Sequence, residues 1–201
     1  MLINLRNALM TGKRLPYDAE VEFLESTGTQ WIDTGVLYSG PCTIRVTAQL
    51  TPSIAERDLF GAYDRPSVIG NMVCGIYNSF AFLYNQGGAR IDSYNLGSDP
   101  VMLTVECDFA YHLRTLIVNG QSYSNNTVFY NGMNITIFRG NTALSANGIF
   151  KCYRFSIIRA GVLVRDFIPV RRGTTGYLYD RVSGKLFGNA GTGDFVLGQD
   201  K

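Results

Sequence analysis

The 201-residue chain is short of the residues that most catalytic schemes need. It has one histidine, His112, so any mechanism that moves protons through an imidazole hangs on that side chain. No G-x-S-x-G elbow and no close cysteine accompanies it, and beside Tyr111 it reads as a hairpin-loop residue. The four cysteines, at 42, 74, 107 and 152, lack the close pairing that zinc sites require. They read as buried thiols, with disulfides as the alternative. Charge is scarce too: 17% of residues are charged, the net charge is +2, and only Lys13-Arg14 and Arg171-Arg172 break the scatter of cations. That pattern makes no basic stripe, which excludes a nucleic-acid partner. A membrane span needs roughly 20 consecutive apolar residues, and the chain has no such run. Its start, "MLINLRNALMTGKRLP", is interrupted by Arg6 and lacks a small-residue cleavage site, so no signal peptide is expected and synthesis in the cytoplasm is.

What is present points to β-structure. The chain is 46% hydrophobic, with 22 glycines and 12 each of tyrosine and phenylalanine, a mixture that suits short strands and tight turns. Leu2, Leu5 and Leu9 recur at helical spacing and predict a helix over 1–12. A helix of that length does not persist alone, so it would pack on its own domain or dock onto a partner. After Pro16 the period becomes two. About a dozen runs, among them "CTIRVTAQL", "VMLTVECDF" and "KCYRFSIIR", alternate apolar and polar residues between Gly, Asn, Asp, Pro and Ser. With no helices between them, a parallel α/β sheet is excluded and an antiparallel sandwich or barrel remains. Asn119-Gly120, Ala160-Gly161 and Ser183-Gly184 mark hairpin tips. The expected organisation is a helix and linker at 1–14, then one β-domain at 15–201.

Three long segments occur in order: "FLESTGTQWIDTG", "GVLVRDFIPVRR" and "GYLYDRVSGKLFGNAGTGDFVLG". Together they resemble the LamG-like, concanavalin A-type jelly-roll domains of bacteriophage and prophage structural proteins. The resemblance implies an all-β antiparallel two-sheet sandwich, here with the short N-terminal helix in front. It also implies a place in a tail or head fibre of a virion or prophage-encoded particle. A homo-oligomer, with a trimer favoured, or docking to another virion protein through the helix would follow. The polar "STGTQ" insert is expected to be a sheet corner, with Gly28 and Gly35 supplying turns and Ser26, Thr27, Thr29 and Gln30 bonding nearby backbone. Trp31 and Phe167 are expected in the core.

Glycoside hydrolases of related jelly-roll fold carry three carboxylates at alternate strand positions, two of them flanking the scissile bond. Glu106 and Asp108 match two positions, but the third is Ala110. No enzyme is expected. The sequence calls for no cofactor; calcium at Asp33, Asp64 or Asp180 is the alternative that the resemblance leaves open. Asp180 itself is expected to bond its turn. Tyr-Asn recurs at 77–78, 84–85, 94–95 and 130–131. Aromatic faces beside amides are what carbohydrate recognition uses, and Tyr, Ser, Gly and Asn also dominate adaptable protein-binding loops. Tyr84, Asn85, Arg90, Asp92 and Tyr94, drawn from the polar stretch 84–95, are the candidate ligand residues, with Tyr63 and Asp64 beside them. The favoured reading is a non-enzymatic module that binds a cell-surface glycan or surface protein. The alternative is a structural or protein–protein module with no small ligand.

Overall fold

The computed structural model describes residues 14–50, 55–63, 70–85, 90–110, 113–126, 128–140 and 148–201. In chain order the strands are β1 (Ala19–Glu20), β2 (Leu24–Glu25), β3 (Ile32–Leu37), β4 (Cys42–Leu50), β5 (Arg57–Ala62), β6 (Met72–Tyr77), β7 (Phe80–Asn85), β8 (Ile91–Asn95) and β9 (Val101–Ala110). Then follow β10 (Leu113–Val118), β11 (Gln121–Asn125), β12 (Asn134–Ile137), β13 (Lys151–Arg159), β14 (Val162–Arg172), β15 (Thr175–Asp180), β16 (Lys185–Phe187) and β17 (Val196–Leu197). They form two antiparallel sheets. The larger runs β11-β10-β9-β4-β13-β14-β15-β16, with β1 on β14 and β2 between β13 and β17. The smaller runs β3-β12-β5-β6-β7-β8.

The expected sandwich is therefore present, but the expected helix in front of it is corrected. Among the described residues there is no helix, and the segment to which one was assigned, 1–12, lies outside them. His112 also lies outside the described residues.

Alternation builds the sandwich. In β4, Cys42, Ile44, Val46, Ala48 and Leu50 are buried while the residues between them are not. They meet Phe60, Met72, Cys74, Ile76 and Leu83 of the smaller sheet in one core, where Phe60 packs edge-on against Phe155 at 5.6 Å. Phe167 is fully buried there; Trp31 is only partly buried, which corrects the expectation for that residue. Three hairpin tips have positive φ at both central positions: Asn78-Ser79, Asn119-Gly120 and Ala160-Gly161. That is the type I′ geometry whose twist matches the flanking strands.

The YDRVSG turn is organised by a buried carboxylate. Asp180, with no exposed surface, accepts the N–H of Asp166 at 2.9 Å, of Val182 at 3.1 Å and of Ser183 at 3.2 Å, and the Ser183 hydroxyl at 2.6 Å. Arg165 reaches it at 3.6 Å. Asp166, next door, holds Arg154 through Nε at 3.0 Å and also binds Arg181. All four cysteines are free and buried, and burial holds the thiols of Cys42 and Cys152 up at about 12.

Candidate functional site

The polar insert before Trp31 is a tightly bonded corner. Gln30 Oε1 accepts the Thr27 N–H at 2.8 Å, the Ser26 hydroxyl donates to the Gln30 carbonyl at 3.1 Å, and Gly28 takes φ +108°. The C-terminal "NAGTG" segment closes on this corner. Asn189 Oδ1 accepts the Trp31 N–H at 3.1 Å, Ala190 N–H donates to the Trp31 carbonyl at 2.8 Å, and the Thr29 hydroxyl donates to the Thr192 carbonyl at 2.8 Å. Only glycine fits at 191, since a Cβ there would fall 2.0 Å from the Thr29 carbonyl oxygen and 2.8 Å from the Trp31 ring. Two segments some 160 residues apart thus hold the backbone that carries one indole.

That indole lines a cavity of about 310 Å³ on the outer face of the smaller sheet, together with Asp33, Leu37, Tyr63, Met133, Asn134, Thr136 and Arg139. Strand parity explains the grouping. Ile32, Thr34 and Val36 of β3 point inward, leaving Asp33 and Leu37 outward; Ile135 and Ile137 of β12 point inward, leaving Asn134 and Thr136 outward. Pairing sets Asp33 opposite Thr136, and Thr136 opposite Gly61. Asn134 Nδ2 donates to Asp33 Oδ2 at 2.9 Å, and Asp33 Oδ1 accepts the Gly35 N–H at 2.8 Å.

The chain then crosses over Gly61, where a Cβ would lie 2.6 Å from the Gly140 Cα. This crossing carries Arg139 over the Trp31 ring, 4.9 Å from its centroid. It is anchored on all sides. Gly140 N–H donates to the buried Asp58 at 3.0 Å, the Thr136 hydroxyl donates to the Arg139 carbonyl at 2.6 Å, and Gly148 N–H donates to the Phe138 carbonyl at 2.7 Å. Phe138 adopts φ +67°, an unfavourable conformation for a bulky residue, held by stacking of its buried ring on Phe150 at 4.5 Å. Burial, with the neighbouring Glu56 charge, pushes the Asp58 carboxyl well above the usual range, against the lowering effect of the Gly140 N–H.

The residues anticipated from the sequence fall in different places. Tyr63 lines the cavity, and burial raises its hydroxyl's pKa, with Tyr84 nearby adding to the shift. Tyr84 belongs to the same outer face: Gly61 pairs with Val73 and Val73 with Tyr84, continuing the row that starts at Asp33 and Thr136. Four strand spacings put the Tyr84 backbone about 19 Å from Asp33. Asn85 is removed from the candidates. It has no exposed surface; its Oδ1 accepts the Phe129 N–H at 2.9 Å and its amide donates to the Gly70, Asn71 and Phe129 carbonyls. Asp92 and Tyr94 lie on strand β8 and not in a loop, because Ile91 and Ser93 turn inward and leave them on the outer face. Arg90 is 2.6 Å from Asp92 and stacks over Phe82 at 4.3 Å. Tyr94 is partly exposed, and its N–H donates to the Tyr123 hydroxyl at 3.1 Å across the sheet edges. Asp64 lies outside the described residues. Tyr63, Tyr84, Asp92 and Tyr94 therefore share one face, but only Tyr63 reaches the cavity. The sequence reading missed Trp31, Asn134 and Arg139 as site residues.

Glu106 and Asp108 sit on the outward face of β9, tied to Arg45 at 2.7 Å and to the Thr43 hydroxyl at 3.0 Å. Among the described residues no three His, Cys, Asp or Glu side chains cluster to hold a metal ion.

Known structures share this architecture. The mouse laminin α1 chain domains LG4-5 match over 74% of this chain and 44% of that one, at TM-score 0.50 and 12% identity. A putative carbohydrate binding protein from Bacteroides ovatus matches over 92% of this chain and 61% of that one, at TM-score 0.61 and 11% identity. The likeness is one of fold. The shared feature is the antiparallel two-sheet sandwich, and the chain spans less than two thirds of either protein. No family model and no curated protein sequence matches it.

Proposed function

We propose that this domain is a non-enzymatic carbohydrate-binding module that recognises a cell-surface glycan on behalf of a phage or prophage particle. The observation that carries the reading is the cavity at Trp31. It joins aromatic surface from Trp31 and Tyr63 to the amide of Asn134, the hydroxyl of Thr136, the carboxylate of Asp33 and the guanidinium of Arg139. Apolar surface beside alternating donors and acceptors is what a sugar ring requires, and a volume near 300 Å³ is the lower end for small-ligand sites. The structural neighbour from Bacteroides ovatus, named a putative carbohydrate binding protein, supports the assignment, as does the resemblance of three long segments to phage fibre domains. The incomplete carboxylate series at Glu106, Asp108 and Ala110 supports a binding role over hydrolysis.

A glycan array probed with the purified protein tests this. Binding to a defined set of glycans is expected, lost in Trp31→Ala and retained in Tyr94→Ala. Loss in Tyr94→Ala with retention in Trp31→Ala would move the site to the Arg90–Asp92–Tyr94 edge. No binding to any glycan by the folded protein would overturn the reading.

A further inference from the structure

Arg139 decides what kind of sugar the cavity can take. Its guanidinium lies over the Trp31 ring, 4.9 Å from the centroid. The ring face under that cation is closed to the apolar face of a neutral sugar, so an incoming ligand meets a guanidinium there. The backbone that presents Arg139 is fixed before any ligand arrives, by the Phe138, Gly140 and Gly148 contacts described above. Phe138, the residue before Arg139 in the chain, is held at φ +67°, the kind of local strain that accompanies a required geometry.

Charge points the same way. Asp33 is the one carboxylate among the described residues lining the cavity, and both of its oxygens already accept hydrogen bonds, from Gly35 and from Asn134. Its charge is thereby partly compensated within the fold. A guanidinium carries five N–H donors in a rigid fork, enough to serve the fold and a bidentate acceptor together. The partner that best matches such a fork is a carboxylate, through two parallel charge-assisted bonds.

We infer that the cavity takes an acidic sugar, a uronic or similarly carboxylated unit whose carboxylate pairs with Arg139 while its ring lies against Tyr63 and the exposed edge of Trp31. This rests on the reading of the cavity as a glycan site, and the test separates the two. Hexuronic-acid oligosaccharides and their carboxyl-reduced, neutral counterparts of the same linkage would be titrated into the protein, with binding followed by calorimetry and by the emission of its one tryptophan. The acidic member of a pair should bind at least about tenfold more tightly, since a hydrogen bond to a charged group is at stake. That preference should shrink with added salt and disappear in Arg139→Gln, with the thermal midpoint kept as the check on folding. Equal binding of acidic and neutral members with a change in Trp31 emission would overturn the acidic-sugar inference and leave the glycan site standing. An undiminished preference in Arg139→Gln would also overturn it. Absence of binding by every member of both series would overturn the inference and count against the glycan site itself.

Discussion

Replacing Asp180 by alanine should cost about 3–5 kcal/mol of stability. The side chain is fully buried and accepts three backbone N–H groups and one hydroxyl, with Arg165 alongside at 3.6 Å. A hydrogen bond to a charged acceptor is worth about 1.5–3 kcal/mol, but the terms do not add. The turn donors at Val182 and Ser183 can find water once the carboxylate is gone. The N–H of Asp166 cannot do so readily, because that residue is itself buried. Arg165 keeps the carbonyls of Thr34 and Val164 as acceptors but loses its nearest anion. Removing one member of a buried ion pair costs about 3–5 kcal/mol, and that figure sets the total. For a domain of this length each kcal/mol corresponds to about 2–4 °C, so the midpoint should fall by on the order of 10 °C. Urea unfolding followed by circular dichroism, with the slope checked for constancy, measures it. Asp180→Asn keeps one acceptor oxygen and should lose less. A loss below about 1 kcal/mol for Asp180→Ala would refute the view that this carboxylate organises the β15–β16 turn.

Asp58 gives a pH-dependent prediction. Its folded pKa lies above its unfolded value, so its contribution is full below about pH 4 and is lost as pH rises through the folded value. Asp58→Asn should therefore gain stability relative to the parent between pH 4 and pH 8, and denaturant titrations showing the opposite trend would contradict this. Asn189→Ala removes the acceptor of the Trp31 backbone N–H and should loosen the corner that carries the ring, shift the tryptophan emission and weaken glycan binding, whereas unchanged emission would show that this backbone bond does not position Trp31. Phe167→Ala should cost about 3–5 kcal/mol through the cavity it leaves, measured by the same urea assay.

The sandwich was legible because its long strands alternate strictly, as "CTIRVTAQL" does, and because the hairpin tips use residues that tolerate positive φ. Strands β8 and β11 were not, because they are short, polar and at sheet edges, where one face has little to bury. "IDSYN" reads as loop until Ile91 and Ser93 are seen to face inward. Asn85 was misassigned although a signal existed: the two-residue period through Ala81 and Leu83 sends it into the core. The cavity was hidden for a different reason. Trp31, Tyr63, Asn134 and Arg139 come from distant segments, and only the pairing of β3 with β12 and of β12 with β5 brings them to one face. No local motif records that pairing. The "STGTQ" and "NAGTG" segments were read as corners, and they are; their joint grip on Trp31 needed the fold to be seen.

Trp31 is both the chain's one tryptophan and a wall of the cavity, so its emission reports directly on that site. The decisive measurement is a fluorescence titration with the oligosaccharide that gives the strongest array signal, repeated on Arg139→Gln. The account predicts a saturable change in emission whose midpoint matches the affinity from calorimetry and weakens in the variant. Saturable binding by calorimetry with an unchanged Trp31 spectrum would place the ligand elsewhere and contradict the account.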